Sequence, residues 1–459
     1  MILQQAQTAW LNLAPERRKR ARFKAFTYGR QWGDKCRSTD GRLLTEEQRM
    51  VEEGRLPVTN NIIRQMVKSI IGRYRWMCEK GYEWEHNKED SGERPTEVSF
   101  GDSDLSVSDT DARALEEFLI SGRVIQRYTD GEYVNVSPDQ FFYHPFARQD
   151  GSDCRLLGML HDMSIAEIFR RFSNGDPVLA ASLKRQLRRG AETGAPWPLT
   201  MENIDFATPL KPDTYRIIEL WRLVGYESLE VTDPVSNKVY TDTIDALPRL
   251  NGLNKARLEV GSEPLMIRHR AHEQWQCTWL TPAGDKIAIS TLPEGGRPPF
   301  AICFYPLIDG EVHSLVEDVI DNQKYINRLI SLLDHIISSS AKGVLLYPAD
   351  QLPEGFTWKD VRRIWANPNG ILPFKRTAKG MIPQQVTSSG STGAEATRML
   401  QMQLSLFEQI SGAAGALSGK SSSAQGENML RTELENALIS MLDILATFRA
   451  HILRRPEKL

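Results

Sequence analysis

"DGEVHSLVEDVIDNQKYINRLISLLDHIISSSAKGVLLYP", residues 309–348, decides how the rest of this chain is read. No Gly or Pro falls between Gly310 and Gly343, and Val312, Leu315, Val319, Ile326, Ile330, Leu333 and Ile337 recur at helical spacing. At 1.5 Å per residue, a run of about 28 residues makes a helix roughly 42 Å long. Asn322, Gln323 and Asn327 interrupt its apolar stripe near the middle. No catalytic-looking residue lies near them.

Downstream, "GVLLYP" to "GILPFK" (343–375) reads as a compact α/β insert with "TWKDVRRIWA" as its helix. A Pro- and Gly-rich return leads to a second helix over 394–411. The small, flexible "GAAGALSGKSSSAQGE" follows. A last helix begins near Glu427, with Leu430, Leu434, Leu438, Met441, Leu445, Phe448 and Ile452 as its stripe. Two helices that flank an insert and come back together make a hairpin stalk with a globular tip.

Upstream, 14–30 reads as a strongly basic helix and "QWGDKCRSTDGR" as a turn-rich loop. "GRLPVTNNIIRQMVKSIIGRYR" is a helix that Thr59 or Asn60 can cap. Residues 79–107 are a polar, exposed excursion. A short capped helix, "SDTDARALEEFLISG", precedes two strands around the Asp-Gly turn signal of "RVIQRYTDGEYVNV". "MSIAEIFRRFS" and "DPVLAASLKRQLRRG" are short amphipathic helices, and 190–212 is a linker or surface loop. Then come the strands "YRIIELWRLVGYE", "EQWQCTWLTPAG" and "DKIAIST", with Trp275, Cys277 and Trp279 on one face. Residues 228–262 look irregular.

The 459 residues are 41% hydrophobic and 25% charged, which suits a chain that buries a real core. A net charge of -2 means that any nucleic-acid contact is local. No apolar run spans a bilayer, and "MILQQAQTAWLNLAPERRKR" lacks the pattern of a secretory signal. Five scattered cysteines without a CxxC fit free thiols in a reducing compartment.

The motifs that suggest chemistry each fail on context. "AGALSGKS" (414–421) is a relaxed phosphate-binding loop with Lys420 as its lysine, but the segment before it has helical rather than strand periodicity. His269, His272 and Cys277 lie close together, yet on a strand the two histidines face opposite sides. Asp102, Asp104, Asp109 and Asp111 lack the further ligands and Gly of a calcium loop. Arg17, Arg18, Lys19, Arg20, Arg22 and Lys24 suit phosphate contact, a solvated helix face, or pairing with an acidic neighbour in an assembly.

Several stretches together resemble the portal proteins of tailed bacteriophages, of the short-tailed type. They are "FTYGRQW" with "GRLPVTNNIIRQMVKSIIGRYR", "EEFLISGRVIQRY" with "VSPDQFFYHPFARQDGSDCRLLG", and "GRPPFAICFYPLIDGEVHSLVEDVIDNQKYINR". The resemblance implies an α+β, mainly helical chain of wing, stem and clip that assembles into a ring, usually dodecameric. The ring sits at one capsid vertex of the virion and is put together in the host cytoplasm. It implies a wing over 1–311, stem helices over 312–341 and 389–411, a clip over 342–388, a channel-facing loop over 412–427 and a long C-terminal helix over 428–459. The implied partners are double-stranded DNA in the channel, the large subunit of terminase at the clip, the major capsid protein and scaffold, and later tail adaptors. No enzyme activity, cofactor, metal or membrane enters.

On this reading Lys420, with Lys342, Lys375 and Arg376 at the stem–clip junction, are the candidates for DNA contact. Asn322, Gln323 and Asn327 are candidates for fixing register between subunits, as a buried amide does at some cost in stability. Facing solvent or marking a helix bend explains them as well. Family members often run on past the long helix into a crown. Here the last residue is Leu459, so a compact variant and a shortened chain both fit. The alternatives from other classes are a nucleotide-hydrolysing protein centred on Lys420 and a nucleic-acid-binding protein that forms no ring.

Overall fold

The computed structural model describes residues 2–38, 40–79, 108–193, 200–340, 344–366, 371–375, 382–386, 391–412 and 441–455. The helices are α1 (Ile2–Asn12), α2 (Ala14–Thr27), α3 (Glu46–Glu52), α4 (Ile62–Glu79), α5 (Asp109–Ser121), α6 (Ile165–Phe172), α7 (Pro177–Thr193), α8 (Met201–Ala207), α9 (Leu247–Glu259), α10 (Leu315–Ser340), α11 (Trp358–Ala366) and α12 (Ser391–Ser411). A further helical stretch, α13, covers 441–453. The strands are β1 (Lys35–Arg37), β2 (Leu43–Thr45), β3 (Arg123–Thr129), β4 (Glu132–Asn135), β5 (Phe141–Tyr143), β6 (Leu156–Met163), β7 (Tyr215–Asp233), β8 (Lys238–Thr243), β9 (Met266–Leu280), β10 (Lys286–Thr291), β11 (Phe300–Phe304), β12 (Leu307–Ile308), β13 (Glu311–Val312), β14 (Val344–Leu346) and β15 (Gln384–Val386). The chain is α+β, and it divides into two compact units, each made of segments distant in sequence.

The first unit takes in residues 1–21, 107–314 and 444–459. Its main sheet is antiparallel, in the order β10-β9-β7-β6-β5, with β8 added on β7. Period-two alternation assigns its two faces. Phe141, Leu157, Ile217, Trp221, Cys277 and Trp279 point into one core, shared with α6, α7, β3 and β11. Their neighbours Phe142, Leu156, Ile218, Leu220 and Leu280 point into another, closed by α1 and Phe206 of α8. Trp275, Cys277 and Trp279 therefore share a face as their spacing predicts, Trp275 partly buried and the other two fully. Gly158 sits where the layers are tightest: a Cβ there would lie 2.3 Å from the Phe142 ring and 2.4 Å from the Glu219 carbonyl.

Local signals set the turns and caps. Asp130 and Gly131, both at positive φ, make the β3–β4 turn. Asp309 and Gly310 do the same between β12 and β13, so Val312 belongs to a strand and the long helix starts at Leu315. Ser164 and Glu167 form a reciprocal cap on α6. Ser108 caps α5, taking Asp109 and Asp111 into its first turn; Asp102 and Asp104 lie outside the described residues.

Residues 228–262 correct the irregular reading. β7 runs on to Asp233, β8 folds back on it, and α9 covers the ribbon with a small core of Leu229, Val231, Leu250 and Leu265. Polar residues between those apolar positions hid both periodicities. Histidines 269 and 272 lie on this ribbon, Nε2 of His269 3.3 Å from Glu227 and Nδ1 of His272 2.7 Å from Glu294. The five cysteines are free thiols, and burial pushes Cys277 and Cys303 up to about 12.

A buried polar knot crosses the main sheet. Glu219 is wholly enclosed, ion-paired to Arg127, with His161 Nε2 at 2.7 Å and Trp221 Nε1 donating at 2.8 Å. Burial pushes the Glu219 carboxyl up, but His161 and Arg127 outweigh it and hold the group below its ordinary value. Burial pushes His161 down, more than Glu219 raises it.

The second unit takes in residues 22–106 and 315–443. "QWGDKCRSTDGR" is not all loop: its middle is β1, paired with β2, and α3 follows with Thr45 and Gln48 as a capping box. Asn61, not Thr59 or Asn60, caps α4, its Oδ1 accepting from the Arg64 N–H at 3.0 Å.

Candidate functional site

α10 and α12 pack side by side in the second unit as the two arms of a hairpin. The start of α12 lies beside the end of α10, with Ile336 Cγ2 3.9 Å from the Cβ position of Gly393, so the arms run antiparallel. On α10 the buried face runs from Val316 through Val319, Ile320 and Ile326 to Leu329. Beyond Ser331 the stripe emerges: Leu333 is half-buried and Ile337 exposed. On α12, Ala396 and Phe407 are buried while Met399, Met402 and Ile410 stay in the open.

The amides that break the stripe form a lock. Gln323 Oε1 accepts from the backbone N–H groups of Ile62 and Ile63 at 3.0 and 3.3 Å, and its amide donates to the Asn60 carbonyl at 2.6 Å and to Asn327 at 3.0 Å. Asn327 Oδ1 accepts from the Asn60 N–H, its amide donates to Gln31, and Ser331 Oγ accepts from Val58 N. α10 thereby holds the entry to α4 within one chain. Both amides are fully buried, so the register that their hydrogen bonds fix is that of helix against loop. Asn322, on the adjoining face, is half-buried.

Below the lock lies an ionic chain that the sequence reading missed. Asp34 takes Arg22 in a two-pronged bond and Lys324 at 2.7 Å; Lys324 and Arg328 reach Glu46 at 2.7 and 3.0 Å. Burial pushes Asp34 up, but Arg22 and Lys324 hold it below its ordinary value. The spacing of Lys324 and Arg328, one turn apart, was the only local hint.

Between the arms lies the insert. β14 pairs antiparallel with β15, Val344 opposite Val386. Tyr347 donates to the Pro373 carbonyl at 2.7 Å and meets the edge of Trp358 on α11. Val361 of α11 is buried, whereas Leu346, Trp358, Ile371, Phe374 and Ile382 are exposed. Lys375 is also exposed, its Nζ 3.4 Å from Glu354. Lys342, Arg376 and Lys420 lie outside the described residues.

The basic run at 17–24 is largely taken up by the fold. Arg17 lies over the Trp10 ring and is pushed down to about 10, mainly by burial; Arg18 pairs with Glu202; Arg20 is buried between Glu117 and Asp139; Arg22 binds Asp34.

A family model described as Phage P22-like portal protein matches residues 126–454, a span that takes in the main sheet, both arms of the hairpin and the insert. The chain therefore belongs to the P22-like portal family of tailed phages. No curated protein matches it.

Proposed function

We propose that this chain is the subunit of a ring, usually dodecameric in such proteins, that forms the DNA channel at one capsid vertex. DNA enters through it during packaging and leaves through it at ejection. The α10–α12 hairpin with its insert carries this reading. It exposes Ile337, Met399, Met402 and Ile410 on its arms, and a helix pair that leaves apolar residues in water gains by packing against a second copy. α10 and α12 then act as the stem, β14 to β15 as the clip, and the strand-rich first unit as part of the wing. Asn322 is the amide left to face a neighbouring subunit. The exposed apolar residues of the insert suit docking of terminase and, later, tail adaptors; the outer parts of the chain face capsid protein and scaffold.

A conduit has to pass a polyanion without gripping it, and a net charge of -2 suits that demand. Lys375, with Lys342, Arg376 and Lys420, supplies the local phosphate contacts. The motor chemistry belongs to the terminase. Native mass spectrometry and electron microscopy test the proposal: rings of about twelve copies are expected, with no ATP turnover before or after Lys420→Ala. A protein that stays single-copy at high concentration, or that hydrolyses ATP through Lys420, sinks it.

A further inference from the structure

The cations of α7 stand out against those of the basic run. Lys184, Arg185 and Arg188 are exposed, and none makes an ion pair or side-chain hydrogen bond among the described residues. At 100° per residue they fall within one 100° sector, with exposed Ala181 between them and buried Leu183 and Leu187 on the other side. Arg170, on the adjoining α6, is exposed too, and with Lys211 it acts on Glu167, whose carboxylate is already occupied in capping Ser164. Lys184 and Arg188 are one turn apart, a like-charge spacing that weakens a helix.

We infer that the outer face of α7, with Arg170 beside it, is a contact for double-stranded DNA that lies outside the hairpin. The chemistry favours nucleic acid over an acidic protein. Hot spots of protein interfaces are Trp, Tyr and Arg side chains seated in well-packed, water-excluding pockets. The sector holding the three cations offers only alanine between them, while the exposed apolar residues of α7, Val178 and Leu179, belong to its first turn. Phosphates need no such anchor, only cations whose counterions are released. Cations that meet phosphates carry no sequence information, so the contact is sequence-independent.

A closed circular duplex separates this contact from the channel, since a circle cannot thread a ring. Binding of a small closed circle to the full-length protein is measured by electrophoretic mobility and by salt titration. The wild type is expected to bind with affinity that falls steeply as salt rises. The triple variant K184E/R185E/R188E is expected to bind at least about tenfold more weakly and to lose roughly two to three from its salt slope. K184Q/R185Q/R188Q, with charges removed rather than reversed, lies between; circular dichroism and native mass of both variants report that fold and assembly are kept. Unchanged affinity in the variants, binding of linear duplex alone, or preference for a polyglutamate chain over DNA overturns the inference. Loss of circle binding by a protein that forms no ring upholds it and removes the channel reading instead.

Discussion

Replacing Gln323 by leucine leaves the N–H groups of Ile62 and Ile63 without their acceptor inside a buried contact. Gln323→Leu should lower stability by about 2–4 kcal/mol, read as a fall in the melting temperature. Asn322→Ala should shift the subunit's stability by no more than about 0.5 kcal/mol, and any loss should appear in the assembled mass. Acid tests a different set of residues. Burial pushes His451 down to about 3, with Gln126 Oε1 3.2 Å from its Nε2. The unfolded chain takes up that proton near its ordinary value of about 6.5, so the stability present above that pH drains away as pH falls towards 3. His161 shifts in the same direction, and Glu219, held low, adds its loss in the carboxylate range. His451→Phe should flatten the dependence of the melting temperature on pH below 6.5. At this scale the sequence misled most. The run at 17–24 suits phosphate, solvent or a neighbour in an assembly when read as sequence, but its acidic partners Glu117, Asp139 and Glu202 belong to the same chain, far away along it. As sequence, "KRQLRR" is only part of an amphipathic helix, though three of its cations make no ion pair among the described residues.

Elements were far more legible, because periodicity and caps are local. The period of two placed Trp275, Cys277 and Trp279, the Asp-Gly turn placed β3 and β4, and helical spacing placed α6, α7, α11 and α12. The ribbon of β8 and α9 escaped notice since its core needs only four buried residues, spaced among polar ones. The hairpin stalk was readable from an uninterrupted helix, an insert and a return; the lock on α4 was not, because hydrogen bonds between residues some 260 positions apart leave no local trace. Two substitutions probe these layers. Gly158→Val drives a side chain into Phe142 and the Glu219 carbonyl, and should cost about 2–3 kcal/mol or abolish soluble expression. Phe407→Ala empties a buried site on α12 and should cost about 3–5 kcal/mol by thermal melt.

For the whole molecule, family membership rests on the match over 126–454, and ring assembly is the proposal that native mass decides. The order of segments has its own consequence for synthesis. The first unit needs 1–21, 107–314 and 444–459; the second needs 22–106 and 315–443. As the chain leaves the ribosome, the entry to α4 waits for Gln323 and Asn327, and Gln126 in β3 waits for His451. The second unit closes only once the segment up to 443 has been made, and the first only once the segment that begins at 444 has followed. Chains released before those segments are made would expose unfinished cores.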